Sequence, residues 1–238
     1  MAGVVKRYRP MVAFHRSIPL ALLLLSACVG GERRDAPPPP RPIAQRPSGP
    51  VTLPGATPRD TQQCFADLSR AEVRFSPLPD RDYGSGCVVL GAVQLLDIGT
   101  PVSGLKAIRC PVARALVGWV RHGVRPAARQ ILGSEVVRID SYGTYACRGI
   151  IGGSAGSAGR VSEHGLANAV DIGSFTLADG RRIVLERDWN STDPQVREFL
   201  RIVHRSACKR FVTTLGPDYN AAHRNHFHLD MGGRPLCR

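Results

Sequence analysis

The sequence predicts an α+β domain in which helices flank a mainly antiparallel sheet. Two segments have the apolar periodicity of amphipathic helices, and five short runs have the composition of strands. Residues 178–180 read Ala-Asp-Gly between two of these runs, which is typical of a hairpin turn and favours antiparallel pairing. The length of the segment 61–238 suits one hydrophobic core.

The chain begins with the pattern of an export signal. Four cations precede an uninterrupted apolar run at residues 18–25, which is too short to cross a bilayer. The run ends in Leu25-Ser26-Ala27-Cys28, which resembles the lipobox of bacterial lipoproteins, where the chain is cut before the cysteine and the thiol is acylated. We therefore expect a signal peptide at residues 1–27 and lipidation of Cys28. An ordinary signal with a chance cysteine is the alternative.

Residues 28–60 have the composition of a tether. Nine prolines fall between Pro37 and Pro58, and no apolar periodicity accompanies them. Such a segment favours extended polyproline geometry and is expected to be disordered, holding the domain away from its anchor. The alternative, a ligand for small proline-recognition domains, is weaker here.

The secondary structure of the domain, 61–238, follows from local patterns. Pro111 in a first turn opens one amphipathic helix, and Asp193-Pro194 caps and starts another. Histidines 122 and 204 lie in these helix-like segments without a partner motif and are expected at the surface. Strands are predicted at residues 87–90, 135–139, 169–175, 183–185 and 227–231.

The cysteine count supports both the lipobox and an oxidising compartment. Seven cysteines are an odd number, and setting Cys28 aside leaves six. Without a C-x-x-C pair these six favour three disulfides over a thiolate metal cluster. Fifteen connectivities are possible; we single out a Cys208–Cys237 bond, from the late helix to the C-terminus, for comparison with the structure. The six are Cys64, Cys87, Cys110, Cys147, Cys208 and Cys237.

The chain is strongly basic, with a formal net charge of +13, of which four charges belong to the signal. In a cytosolic protein this charge would suggest nucleic acid as a partner. An exported chain meets anionic lipid head groups and cell-wall carboxylates instead. We therefore expect no nucleic-acid partner.

Two polar segments carry the candidate chemistry. In residues 223–230 three of the seven histidines fall within six residues. On a strand, His226, His228 and Asp230 share one face while Phe227 and Leu229 enter the core.

The second polar segment spans residues 162–171. It contains His164 and ends at Asp171, which the alternation places on the outward face opposite Val170 and Ile172; Gly165 permits a bend between the two polar residues. Two imidazoles and one carboxylate form a normal catalytic zinc set with one position open for water.

These segments resemble known families. The pattern S-x-H-x-x-x-x-x-x-D followed by H-x-H is similar to the signature of zinc D-Ala-D-Ala peptidases and penicillin-insensitive murein endopeptidases. The longer pattern, Y-A-C-R, S-E-H-G-L-A-N-A-V-D-I, D-W, F-L-R, A-C-K-R-F and H-F-H-L-D, resembles the bacterial extensin-like C-terminal domain family from Cys64 to Cys237. The resemblance implies a zinc D-Ala-D-Ala-peptidase-like fold, one Zn²⁺ ion and ligation by His164, Asp171 and His228. It also implies that Arg148 is a catalytic-site residue that binds or polarises the substrate.

One position departs from the peptidase pattern. Many peptidases of this group have a catalytic Glu or Asp three residues before the last ligand, where this chain has Asn225. The endopeptidase-like members instead have a histidine two residues before that ligand, and His226 matches it. His223 also fits their H-x-x-H-x-H spacing, so the resemblance implies catalytic roles for His226 and, as the next candidate, His223.

The leading hypothesis is an envelope lipoprotein with zinc-dependent peptidase activity on peptidoglycan peptides, of endopeptidase or carboxypeptidase type. The main rival is a non-catalytic peptidoglycan-binding lipoprotein of the same fold, supported by Asn225. A purely structural envelope protein is a third possibility that leaves the clustered histidines without a purpose. We expect a monomer facing the periplasm, with its lipid anchor in the outer membrane favoured over the inner.

Overall fold

A computed structural model describes residues 58–152 and 159–238. The predicted signal peptide, Cys28 and the predicted tether up to residue 57 lie outside the described residues. Among the described residues, none of the helices is long and apolar enough to cross a membrane.

The two predicted helices are present. Pro111 lies in the first turn of one, and the Asp193 side chain caps the other by accepting hydrogen bonds from the backbone N–H groups of Gln195 and Val196. The first of these helices continues through π-helical turns and ends at Gly133, which has a φ of 65°. The α-helices of the described residues are α1 (Pro58–Arg70), α2 (Cys110–Trp119), α3 (Arg125–Ala127), α4 (Leu185–Asp188) and α5 (Pro194–Ala207).

Helix α1 was not predicted, and its first three residues fall in the segment 28–60 that the prolines assign to a tether. The helix is mostly polar and buries few apolar side chains, Leu68 among them. Its position is fixed by a disulfide between Cys64 and Cys110 at the start of α2. The disulfide and the few buried apolar side chains together hold this helix against the domain.

The strands of the described residues are β1 (Arg74–Pro77), β2 (Arg81–Asp82), β3 (Val88–Val89), β4 (Ala92–Asp97), β5 (Val102–Ser103), β6 (Ile108–Arg109), β7 (Val136–Gly143), β8 (Ala169–Leu177), β9 (Arg182–Val184), β10 (Thr213–Leu215), β11 (Phe227–Asp230) and β12 (Leu236–Cys237). These strands form three sheets. The main sheet has seven strands in the order β12-β10-β11-β8-β7-β5, with β9 also paired to β8; the others are β1-β4-β6 and β2-β3.

The prediction of a mainly antiparallel α+β fold is confirmed at that level. Strands β8 and β9 pair antiparallel around the predicted turn at residues 178–180. Two pairs are parallel, β5 with β7 and β10 with β12, so the main sheet is mixed. The predicted strand at residues 183–185 ends one residue early, because Leu185 begins α4.

The core lies between the main sheet and the helices. Phe175 of β8 packs edge to face against Phe199 and at a tilted angle against Trp119. The Trp119 indole N–H donates to the backbone oxygen of Val203 at 2.9 Å. The surface position predicted for His204 is wrong. Its side chain is buried within the apolar face of α5, and its Nε2 lies 3.1 Å from the backbone oxygen of Arg238.

All six domain cysteines are paired. The bonds are Cys64–Cys110, Cys87–Cys147 and the predicted Cys208–Cys237. The last joins the end of α5 to β12 at the edge of the main sheet.

Candidate metal centre

Two adjacent strands and one tight turn bring the predicted ligands together. Strands β8 and β11 pair antiparallel with Asp171 directly opposite His228. His164 enters from a 3-10 turn, Glu163–Leu166, whose first backbone N–H groups need a cap. The Ser162 hydroxyl provides it by accepting from the His164 N–H at 3.3 Å.

The three side chains present donor atoms at metal-binding spacing. His228 Nδ1 lies 2.9 Å from Asp171 Oδ1 and 3.1 Å from His164 Nε2, and His164 Nε2 lies 3.1 Å from Asp171 Oδ2. Donor atoms bound at about 2.0–2.1 Å around a tetrahedral zinc ion lie about 3.3 Å apart. The observed triangle is close to that size.

The remaining nitrogens of both imidazoles are also oriented for metal binding. His164 Nδ1 lies 3.3 Å from the backbone oxygen of Thr144, and His228 Nε2 lies 2.9 Å from Asp230 Oδ2. Both partners can only accept, so each of these nitrogens carries the proton. In its neutral, metal-binding form each ring then directs a lone pair at the centre of the triangle, with an oxygen partner behind it as metal-binding histidines usually have. The site therefore fits a metal ion such as zinc.

The candidate ligands are more enclosed than the strand alternation predicts. Asp171 does face away from Val170 and Ile172, but it is 9% exposed and not on an open surface. Burial alone would raise the pKa of Asp171; hydrogen bonds with His164 and His228 outweigh it and hold the pKa below its ordinary value. A charged carboxylate at the centre of buried imidazoles attracts a cation.

His228 shows the complementary effect. Burial would lower its pKa, but hydrogen bonds with Asp171 and Asp230 raise it to about 9. A binding metal ion must therefore displace a proton from this imidazole, as is usual for histidine ligands.

Two further histidines border the cluster. His226 places its Nε2 3.6 Å from Asp171 Oδ1 and its Nδ1 2.7 Å from the side-chain oxygen of Asn225. The ring of His223 lies 5.2 Å from that of His226. Burial lowers the pKa of both, and nearby cations help to bring that of His223 to about 4. Both shifts favour the neutral form of the ring.

One of the candidate ligands, His228, lines a groove of about 910 Å³. Arg148 lines this groove together with His223, His226 and His228. It contacts none of the candidate ligands, and its charge contributes to the lowered pKa of His223 and His226. Another cavity, of about 650 Å³, lies against α1 and Arg109, and its described lining includes no histidine.

Sequence patterns did not single out Tyr142. This side chain is 57% exposed, and its ring meets that of His226 edge on at 6.0 Å. It lies over Gly173, where an added Cβ would be 2.6 Å from the tyrosine ring. A glycine inside a strand is the one sequence feature that could have indicated such a close approach.

Comparison with known proteins gives one result. Residues 62–238 match the family model described as Extensin-like protein C-terminus. No curated protein and no solved structure matches.

Proposed function

The chain belongs to the Extensin-like protein C-terminus family, and from its metal-ligand cluster we propose that it is a zinc-dependent peptidase that hydrolyses peptide bonds of peptidoglycan. The convergence of His164, Asp171 and His228 on one centre, beside a groove that His228 lines, carries this proposal. The resemblance of their spacing to that of zinc D-Ala-D-Ala peptidases and murein endopeptidases supports the reaction class and a related fold.

The chemistry assigns different tasks to different residues. His164 Nε2, His228 Nδ1 and the Asp171 carboxylate would hold the ion. Zinc in such a site acidifies bound water and polarises a carbonyl oxygen. His226 has Nδ1 satisfied by Asn225, so its Nε2 is available as a hydrogen-bond acceptor near the cluster. In the proposal this nitrogen takes a proton during the reaction, and His223 is the next candidate for that role.

Arg148 is proposed to bind the substrate peptide. Its guanidinium lies in the same groove and donates within the described residues to the backbone oxygen of Gly149 at 3.3 Å, leaving donors free. Guanidinium suits a carboxylate or a developing negative charge on oxygen.

A non-catalytic peptidoglycan-binding lipoprotein is the second candidate function. Asn225 cannot take a proton, and it stands where many related peptidases have a catalytic carboxylate. A protein of this kind would keep the groove and the metal ion without turning substrate over.

We also propose that the mature protein begins at Cys28 and is a monomer anchored in the cell envelope by a lipid on this cysteine. The anchor is proposed to lie in the outer membrane in preference to the inner, with the domain facing the periplasm. The disulfides support this indirectly. They use six of the seven cysteines, so Cys28 is the one that remains for acylation.

Incubation of zinc-loaded protein with purified peptidoglycan, followed by mass spectrometry of soluble fragments, tests the function. New peptide termini that disappear after chelation and return with zinc indicate the peptidase. Sedimentation with the wall without cleavage indicates the binding protein. If the protein neither cleaves the peptidoglycan nor sediments with it, both candidate functions are contradicted.

A further inference from the structure

Three arginines of the described residues, Arg148, Arg160 and Arg234, line the groove. None of them forms an ion pair with a carboxylate among the described residues. Ten of the nineteen other arginines in the described residues do form such a pair. The arginines in such pairs are Arg70, Arg74, Arg114, Arg129, Arg138, Arg181, Arg182, Arg187, Arg201 and Arg224.

Acidic residues in the groove are occupied elsewhere. Glu163 accepts a 2.7 Å hydrogen bond from the Asn168 side chain and packs so closely on Gly232 that an added Cβ would meet its carboxyl carbon at 2.2 Å. Asp230 is bound to His228 and to the Gly232 N–H. Among the described residues, neither of these carboxylates forms an ion pair with the three guanidinium groups.

Arg160 and Arg234 come from two separately anchored wall segments. The backbone oxygen of Arg160 accepts from the N–H of Ile150 at 3.1 Å, within a short antiparallel ladder that also includes a bridge between Gly149 and Val161. The backbone oxygen of Arg234 accepts from the Thr213 hydroxyl at 3.2 Å. Both side chains thus project from hydrogen-bonded backbones, which limits the entropy lost when they bind a ligand.

The rest of the groove wall is partly apolar. Ile151 is 62% exposed, and Ile150, Tyr219 and Leu236 are each between 36% and 39% exposed. A ligand that matches this wall has aliphatic groups as well as negative charge. A peptide with free carboxylates has both.

We propose that Arg160 and Arg234 form a carboxylate-binding subsite of the groove that selects acidic peptides. A guanidinium group binds a carboxylate through charge-assisted hydrogen bonds. A neutral amide in the same place accepts weaker hydrogen bonds, so the peptide that carries it should bind less tightly. That the bound peptide is a substrate rests on the proposed function. That the groove binds acidic peptides does not.

The test compares two labelled pentapeptides by fluorescence anisotropy. One contains glutamate and a free C-terminus, and the other has glutamine and a C-terminal amide. Metal is first removed with EDTA, so that coordination of a peptide carboxylate by an ion cannot imitate the result. The parent protein should bind the acidic peptide roughly 10- to 100-fold more tightly than its amide counterpart.

Arg160→Gln with Arg234→Gln should remove most of that preference and leave affinity for the amide peptide unchanged. Arg74→Gln is the matched control, because Arg74 pairs with Asp97 on the separate three-stranded sheet. Equal binding of both peptides by the parent protein, or an equal loss in the control, overturns the subsite.

Peptidoglycan cleavage separates the two proposals. If the parent cleaves, the double variant should raise KM and leave kcat nearly unchanged. An arginine-dependent preference without cleavage keeps the subsite and rejects the peptidase. Cleavage with unchanged KM in the double variant rejects the subsite and keeps the peptidase.

Discussion

Replacing Asp230 by Asn should weaken metal binding although Asp230 is not a proposed ligand. The side chain is 4% exposed, and its two oxygens accept from the Gly232 N–H at 2.8 Å and from His228 Nε2 at 2.9 Å. In Asp230→Asn the side-chain oxygen can still accept the hydrogen bond from the Gly232 N–H, but the amide NH₂ then faces His228 Nε2. To accept from it, His228 must move its proton to Nδ1, the atom that faces the cluster.

The expected loss in zinc affinity is about 10- to 100-fold, or about 1.4–2.7 kcal/mol, as for other substitutions behind metal-binding histidines. Competition with a fluorescent zinc chelator measures it. Asp140→Asn is the matched control, since Asp140 lies in the same sheet away from the cluster and should leave zinc affinity unchanged. A zinc affinity of Asp230→Asn within twofold of the parent value would refute the tautomer argument.

Further predictions concern the site, the anchor and the sheet. His228→Ala should lose zinc and cleavage together, whereas His226→Ala should keep near-stoichiometric zinc by plasma mass spectrometry while cleavage falls by about 10² or more; full zinc retention in His228→Ala contradicts the ligand assignment. Arg148→Ala should slow peptidoglycan cleavage by at least about tenfold, and an unchanged rate removes it from the substrate site. Cys28→Ser should abolish acylation and membrane association, seen by intact mass and fractionation; unchanged processing refutes the lipobox. Asp140→Asn should destabilise the domain by about 1–3 kcal/mol in urea unfolding, because the carboxylate accepts hydrogen bonds from β5, β7, β8 and β9 side chains.

The same carboxylate gives a pH dependence. Burial would raise the pKa of Asp140, but hydrogen bonds led by that of Arg138 hold it well below 3.8. Because the pKa of this carboxylate is lower in the folded than in the unfolded chain, the charged carboxylate stabilises the fold at pH values above its pKa in the unfolded chain. This contribution is lost as the pH falls below about 4. Urea midpoints measured between pH 6 and pH 2 should fall less steeply in Asp140→Asn than in the parent; parallel curves would contradict this.

Much of the site could be predicted because it depends on short periodic patterns. The two-residue alternation of β11 places His228 and Asp230 on one face and buries Phe227 and Leu229, as the sequence indicates. The N-termini of two helices could be predicted in the same way, because Pro111 and Asp193 mark them locally in the sequence.

Other features depend on contacts between distant segments. The Thr144 backbone oxygen that orients His164 is supplied by main chain, so no side chain marks it. Asp171 is buried because β8 is flanked by β7 and β11 and closed over by His164, which alternation within β8 cannot show. Arg160 and Arg234 are far apart in the sequence, and only the folded chain shows that both line one groove.

The order of the disulfides along the chain bears on how the domain can be produced. Cys64–Cys110 and Cys87–Cys147 interleave, since each bond encloses one cysteine of the other. If the chain is exported as proposed and is oxidised as it emerges, Cys64 and Cys87 are the first cysteines of the domain to appear, and these two are not native partners. Joining them creates a bond that must later be broken by thiolate attack and exchanged. Recovery of folded protein should therefore depend on a disulfide isomerase and not on an oxidant alone.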